Sequence, residues 1–431
     1  MKFSAPPYMH DVLPSEPARD GWLHVARWRA LEAAFRSTCQ DFGYRELRTP
    51  VMETTDLFAR SIGAGTDIVS KEMFTFEDRG GRSMTLRPEG TAPAIRAYLE
   101  HGLGGERAVS KLYYIATIYR YERGQRGRYR EHQQTGIEAI GSQDPALDAE
   151  VIGLAIEFYR RLGIDETELR LNSVGCPVCR PAYREALVAF AQPLADAMSA
   201  DNRVRLHQNP LRMLDSKDER DREVLAGAPA LPEFLCNECD SHFTELQSLL
   251  AAVGIAYRLD AHLVRGFDYY TKTAFEIVSP HLGAQNVLGG GGRYDGLVEE
   301  CGGPPTPGIG LGIGTERCLI VLDQLGVKLQ LEDERPDVVV VTVGAVARRE
   351  GVRLLMELRK AGLASDMDYS GKSVKSQMRH ADRSGAALVA LLGDEELESG
   401  MVTVRPLRAG GDQVKMPRAD AVRHICALRV G

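Results

Sequence analysis

Two glycine-laden stretches constrain this chain more than anything else in it. Residues 288–297 read LGGGGRYDGL, and residues 308–317 read GIGLGIGTER. In the second, glycine alternates with apolar residues. A strand's side chains point alternately to its two faces, so this one would bury isoleucine and leucine on one side and leave bare backbone on the other. Such a face admits a flat ring, or another strand at close range. Packing alone explains the glycines equally well, but not an arginine at the edge, where a helix is expected to start with Glu316 and Arg317. Neither stretch has the GxGxxG or Walker spacing of a nucleotide loop.

Apolar and β-branched runs over 112–121 and 134–140 predict two strands joined by a long loop. Between them RYERGQRGRYR (120–130) places five arginines in eleven residues, with Gly124 and Gly127 free to bend. The planar guanidinium matches phosphate oxygens two at a time, so a polyphosphate or a nucleic-acid backbone would satisfy such a loop; a solvated basic loop would read the same. Arg120 and Glu122, two apart on the predicted strand, face one way, as do Gln134, Gly136 and Glu138 on the returning strand. Carboxylates beside arginines suit an amino-acid ligand with a cationic or N–H-donating group, although structural ion pairs have the same signature. Arg87-Pro88-Glu89-Gly90-Thr91 predicts a turn. RGFDYY (265–270) joins a cation, an anion and aromatics, a mixture suited to a flat polar ligand or to a core.

The chain has 431 residues, more than one ordinary core accommodates, and two or three domains are expected. Steps of three and four from Trp22 through Val25, Trp28, Leu31, Phe35 and Cys39 predict a helix stopped by Gly43. A short strand over 44–51, bounded by Gly43 and containing Pro50, belongs at a sheet edge or a subunit contact. A helix over 148–162 ends at Gly163, and 168–173 alternates like a strand. Residues 175–260 turn helical. After a charged segment at 330–335, DVVVVTVG, a helix pattern and LVALLG follow in β–α–β order, and the continuous valines fit strands covered on both faces.

Four of the eight cysteines form two CxxC pairs, Cys176/Cys179 and Cys236/Cys239. Four thiols suffice for a closed tetrahedral zinc site, yet the 56 residues between the pairs exceed ribbon spacing, so two unlinked thiol pairs remain the alternative. Cys39, Cys301, Cys318 and Cys426 read as core residues. The net charge of −7 opposes indiscriminate nucleic-acid binding. Residues 335–431 are the mildly basic part, with 16 Lys/Arg against 12 Asp/Glu. No run reaches the roughly 18 apolar residues that cross a bilayer, and 1–14 lack a signal pattern, so a cytoplasmic protein without a membrane partner is expected.

In this order the pieces resemble class II aminoacyl-tRNA synthetases, and RGFDYYTKTAFE (265–276) and GGGRYDGL (290–297) resemble stretches peculiar to the histidyl-tRNA synthetase family. The helix and strand ending at Pro50 look like the first class signature, a dimer interface; Arg120-Tyr121-Glu122 with its loop looks like the second, and GIGLGIGTER the third. SVKSQMRHADRSGA (373–386) resembles the anticodon-binding domain. The resemblance implies an α+β fold: an antiparallel class II catalytic core over 1–174 and 261–328, a helical insertion over 175–260, and an α/β anticodon-binding domain over 336–431. It implies a homodimer that uses ATP with Mg²⁺ to ligate L-histidine to tRNA(His) through histidyl-adenylate. A catalytically silent paralogue, such as a regulatory subunit of ATP phosphoribosyltransferase or a tRNA-binding sensor, is the alternative. By resemblance Arg120 and Arg265 are catalytic. Glu89, Gly90, Thr91, Gln134, Glu138, Tyr269, Tyr270 and Tyr294 bind histidine, and Arg120, Glu122, Arg128, His132 and Arg317 bind ATP. Three positions depart from the family pattern: His132 replaces a phenylalanine, Gly124 a proline, and Tyr8-Met9-His10 an Arg-Gly-Thr.

Overall fold

The computed structural model describes residues 3–14, 21–63, 66–105, 107–216, 218–331, 334–408 and 412–429. The chain divides into two compact units, Met1–Leu331 and Glu332–Gly431. Residues 332–333 of the expected linker lie outside the described residues.

In the first unit, helix α1 (Val25–Asp41) is followed by Gly43 at φ +77°, a left-handed position that glycine takes without steric cost. The single strand expected over 44–51 is corrected here. Only β1 (Arg45–Glu46) pairs with the main sheet. The carbonyls of Thr49 and Pro50 turn instead to the Arg87 guanidinium, at 2.9 and 3.2 Å. Next come β2 (Met52–Thr54), α2 (Thr55–Ile62), β3 (Phe74–Glu77) and β4 (Ser83–Leu86), whose strands form a separate three-stranded antiparallel sheet, and then α3 (Thr91–Glu100).

The long hairpin follows as β5 (Ser110–Tyr119) and β6 (Glu131–Ile140). Its first strand stops at Tyr119 rather than at 121, because the Tyr121 N–H leaves the ladder for the Glu72 carbonyl (2.7 Å) and the Glu122 N–H folds back on Arg120 (2.8 Å). Arg120 and Glu122 thus stand in the loop mouth, not on the strand. Helix α4 (Pro145–Leu162) is capped at its start by the Asp144 side chain and ends at left-handed Gly163. Strand β7 (Glu168–Ser173) precedes α5 (Arg180–Ala191), α6 (Ala200–Gln208), α7 (Glu219–Leu225) and α8 (Asn237–Ala252). The chain then returns through β8 (Arg258–Leu259), β9 (Thr271–Val278), β10 (Val287–Arg293), α9 (Leu297–Glu300), β11 (Gly308–Gly314) and α10 (Thr315–Leu325).

The resulting eight-stranded sheet has the order β1-β5-β6-β11-β10-β9-β7-β8, antiparallel except for its two outermost pairs. Strand alternation assigns its faces. Ile137 and Ala139 of β6, Phe275 and Ile277 of β9, and Ile309, Leu311 and Ile313 of β11 all join one core with apolar residues of α1, α4, α8 and α10. Burying each large side chain stabilises the fold by roughly 1.5–3 kcal/mol. Helix α8, although within the stretch expected as an insertion, packs Phe243, Leu246 and Leu250 into this same core. Among the other cysteines, Cys39 and Cys318 are buried, while Cys301 and Cys426 are only half-buried.

The second unit is α/β. Strands β12 (Val338–Thr342), β13 (Ser365–Met367) and β14 (Leu388–Leu392) are parallel; β15 (Met401–Pro406) and β16 (Val414–Pro417) add antiparallel, giving the order β13-β12-β14-β15-β16. Val338 and Val340 face one core and Val339 and Val341 the other, as the unbroken valine run predicts. No helix among the described residues is long and apolar enough to cross a membrane.

One buried ion pair ties the site-bearing strands to their helices. Arg293 of β10 and Asp148 of α4 are both fully buried; Nη2 lies 2.6 Å from the carboxylate, and the remaining donors reach the Ser142 and Asp144 carbonyls at 2.8 and 3.0 Å. Removing one partner leaves a buried charge uncompensated. Arg293→Met should therefore destabilise the first unit by about 3–5 kcal/mol, read from chemical unfolding followed by tryptophan fluorescence.

Candidate active site

The other face of the sheet floors a cavity of about 670 Å³. The floor is glycine. A Cβ at Gly310 would lie 2.0 Å from Glu138 Oε2, one at Gly312 1.9 Å from Gln134 Nε2, and one at Gly290 2.8 Å from Arg265 Nη1. The polar side chains thus lie flat on backbone, which only glycine permits at these separations. The bare strand face read from the sequence is filled from within the site.

At one end of the cavity stand cations. Arg120, Arg128 and Arg317 line it together with Glu122 and His132. Arg120 is aimed by a hydrogen bond from Nε to the Pro88 carbonyl (2.7 Å) and lies over the Phe267 ring, 5.6 Å from its centre. Arg128 pairs with Glu122, which lies 3.8 Å from Arg120. Arg317, the third residue of α10, donates to the carbonyls of Gly127 (2.9 Å) and Val287 (2.7 Å). Burial and the neighbouring Arg128 guanidinium lower its pKa, the mark of a charge that an anion would relieve. Burial also pushes His132 down to about 3, with Arg120 and Arg317 adding to the effect, so its ring is neutral. A neutral imidazole can stack on a flat base.

At the other end stand tyrosines and acids. Tyr269, Tyr270 and Tyr294 line the cavity with Glu89, Thr91 and Gln134. Two residues expected in contact with ligand stand one layer back. Glu138 is fully buried and lies behind the wall, accepting hydrogen bonds from the phenols of Tyr294 (2.6 Å) and Tyr114 (3.2 Å). Gly90 does not line the cavity either; a Cβ there would lie 2.3 Å from the Tyr114 ring, so its smallness serves packing. The carboxyl of Glu89 receives the first amides of α3, Thr91 N–H at 2.5 Å and Ala92 N–H at 2.7 Å. Arg265 lies between the two ends, paired with Glu276 and 5.8 Å from the centre of the Tyr270 ring.

Sequence reasoning missed Tyr114, Phe267 and Glu276. Phe267 and Glu276 both had a signal, as letters of RGFDYYTKTAFE; a tyrosine in an apolar strand carries none. Two of the family departures explain each other. The Tyr8 ring rests on Gly124, where a Cβ would come within 1.9 Å, and Tyr8 accepts the Arg130 N–H at 3.0 Å. His10 packs among Trp22, Trp28 and Tyr129.

Outside the cavity, the Sγ atoms of Cys176, Cys179, Cys236 and Cys239 lie within 4.8 Å of one another. A tetrahedral zinc with Zn–S bonds of about 2.3 Å spaces its sulfurs about 3.8 Å apart. Here Cys176 lies 3.6 Å from Cys179 and 3.9 Å from Cys236. The donor set fits a soft divalent cation.

The chain resembles known proteins over almost its whole length. Residues 8–318 match the family described as histidyl-tRNA synthetase, and residues 337–428 match the anticodon binding domain. A protein of Moorella thermoacetica named histidine–tRNA ligase is 49% identical over 426 residues, covering 98% of this chain and 97% of its own. One of that name from Halothermothrix orenii is 46% identical and covers 99% of this chain and 100% of its own. Among solved structures, the apo histidyl-tRNA synthetase of S. aureus superposes with a TM-score of 0.80 at 36% identity, over 98% of this chain and 100% of that one.

The buried acid makes one prediction that needs no ligand. Burial pushes Glu138 from 4.5 up to about 8. An acid raised on folding contributes stability that is whole below its unfolded pKa and is lost as pH climbs to the folded one. Glu138→Gln, neutral throughout, should lose less thermal midpoint than the parent between about pH 5 and 8. Equal slopes in a calorimetric series would show that Glu138 is ionised in the fold.

Proposed function

Since this chain belongs to the histidyl-tRNA synthetase family, we propose that it ligates L-histidine to tRNA(His) in two steps. The histidine carboxylate attacks the α-phosphorus of ATP, giving histidyl-adenylate and pyrophosphate; a terminal hydroxyl of the tRNA then takes the histidyl group and releases AMP. The observation that carries this reading is one cavity lined both by a cluster of guanidiniums and by tyrosines and acids. A triphosphate needs the first and an amino acid with an imidazole the second.

In this assignment Arg120 holds the α-phosphate. Arg317 lies along the adenine and reaches the γ-phosphate, with His132 beneath the base and Glu122 and Arg128 shaping the loop. Arg265, between the two ends, offsets the negative charge that grows on phosphorus, and fixed donors in a dry site do this without reorganising. Glu89 and Thr91 face the α-amino group. Gln134, Tyr269, Tyr270 and Tyr294 surround the imidazole, with Glu138 behind them and Gly90 giving Tyr114 its room. Pairing both ring nitrogens would reject analogues lacking them by roughly 10⁴-fold, since buried partners would be left unsatisfied.

Glu122 and Glu276, which line the cavity, would supply hard oxygens to a magnesium ion accompanying the ATP, and such an ion would neutralise charge on the phosphates. The four thiols are assigned to a structural zinc. The second unit takes the anticodon arm. The exposed Val51, Met52 and Phe76 and the edge strand β1 suit a homodimer contact, and the setting is the cytoplasm. The silent-paralogue alternative loses ground because Arg120, Arg265 and Arg317 are all present and the named relatives match over nearly their whole length.

Histidine-dependent exchange of labelled pyrophosphate into ATP tests the first step. The intact protein should exchange, and Arg265→Ala should do so about 10²–10³-fold more slowly; no exchange in the intact protein ends the ligase reading. Metal analysis should find about one zinc per chain. A fully folded, metal-free preparation would remove the zinc.

A further inference from the structure

The thiol cluster stands apart from the cavity, yet the two segments that carry it grip the start of β9, immediately after two of the cavity's tyrosines. The first segment holds the backbone. Val174 N–H donates to the Lys272 carbonyl (2.7 Å), and Lys272 N–H donates to Gly175 (2.8 Å), immediately before Cys176. Arg180, next to Cys179, donates from its guanidinium to the Tyr270 carbonyl, and from Nε to the Val174 carbonyl at 3.3 Å. The second segment holds the side chains. Glu238, between Cys236 and Cys239, accepts from Lys272 Nζ at 2.8 Å, and His242 Nε2 lies 3.3 Å from Thr273 Oγ1.

Lys272 is the hub. It follows Tyr270 by two residues, in an irregular stretch where the pairing of β9 with β10 shifts register. Its φ of +47° is a left-handed value that a lysine adopts only where its surroundings impose it. Its ammonium also lies 3.5 Å from Asp295, the neighbour of Tyr294, so one side chain ties the thiol segment to both tyrosine-bearing stretches. The two thiol segments are 56 residues apart in sequence. A metal bridging them would fix Glu238 relative to Arg180. Four thiolates around a divalent cation carry a net charge of −2, which places Arg180 beside an anionic centre as well as on the Tyr270 carbonyl.

We propose that a zinc ion held by Cys176, Cys179, Cys236 and Cys239 sets the position of Tyr270 and Tyr294 through the positioning residues Lys272 and Arg180. Metal loss then weakens histidine binding and leaves ATP binding untouched. The residues assigned to ATP sit on the β5–β6 hairpin and α10, and none bonds to either thiol segment. This rests on the assignment of the tyrosine end to histidine.

The test is pyrophosphate exchange by the full-length protein in excess magnesium, with the KM for histidine and for ATP measured separately. Lys272→Met keeps all four thiols. It should retain zinc, raise the histidine KM about tenfold and leave the ATP KM unchanged, and Lys272→Arg should recover much of the loss. Cys239→Ser should lose zinc and show the same split; if it does not fold, Lys272→Met decides alone. A parental histidine KM in Lys272→Met, or a rise in both constants together, overturns the proposal, as does a parent that exchanges normally without zinc. A parent that does not exchange at all overturns the ligase reading instead.

Discussion

The site depends on the absence of Cβ atoms. Its side chains do not project from the sheet into the cavity so much as lie across the sheet, and they do so because Gly290, Gly310 and Gly312 offer nothing but backbone at distances under 3 Å. Glycine within a strand costs about 0.5–1 kcal/mol relative to alanine. The same strands recover that cost on their other face. Ile309, Leu311 and Ile313 alternate with the glycines of β11, and each is buried against the helices. One strand thereby separates stability from recognition by its twofold periodicity. The antiparallel ladders on both sides hold the bare backbone flat.

A floor without side chains leaves the walls to set the electrostatics, and they divide it. The guanidinium end is too positive for its own comfort. Arg317 is buried against carbonyl partners with like charges nearby, and His132 cannot take up a proton at any ordinary pH. At the tyrosine end the opposite holds. Glu138 is raised to about 8, so near neutrality it is an uncharged acid among phenols. Arg265 sits between these regions with Glu276 as its counter-ion. One cavity thus holds both sets of groups, and a ligand with an anionic part and a nitrogen-rich ring meets both.

The periodic parts of this architecture were legible. Helix α4, strand β7 and the valine strand β12 follow from spacing, because each buries a continuous face. Arg120 and Glu122 were misplaced on a strand since alternation cannot show that the Tyr121 amide leaves for Glu72. Helix α8 read as part of an insertion because nothing local distinguishes a helix that returns to the core from one that leaves it. Glu138 and Gly90 share a reason: a polar residue opposite a cavity and one just behind its wall have the same pattern, and only packing against Tyr114 separates them. Tyr8 and Gly124, 116 positions apart, explain each other only once folded.

A glycine floor also has a mechanical consequence. In an ordinary cavity the neighbours on the same sheet face wedge each recognising side chain into one rotamer, whereas here the glycines of β10 and β11 supply none. Orientation has to come from behind and from the ends. Glu138 supplies it to Tyr294 through a 2.6 Å hydrogen bond, and Phe267 stacks on Tyr269 at 5.1 Å between ring centres. Tyr270 has its carbonyl taken by Arg180 and its chain turned by the left-handed Lys272. Apart from Phe267, which itself lines the cavity, these supports stand behind its wall, so the selectivity of the bare sheet is borrowed from the segments that brace it.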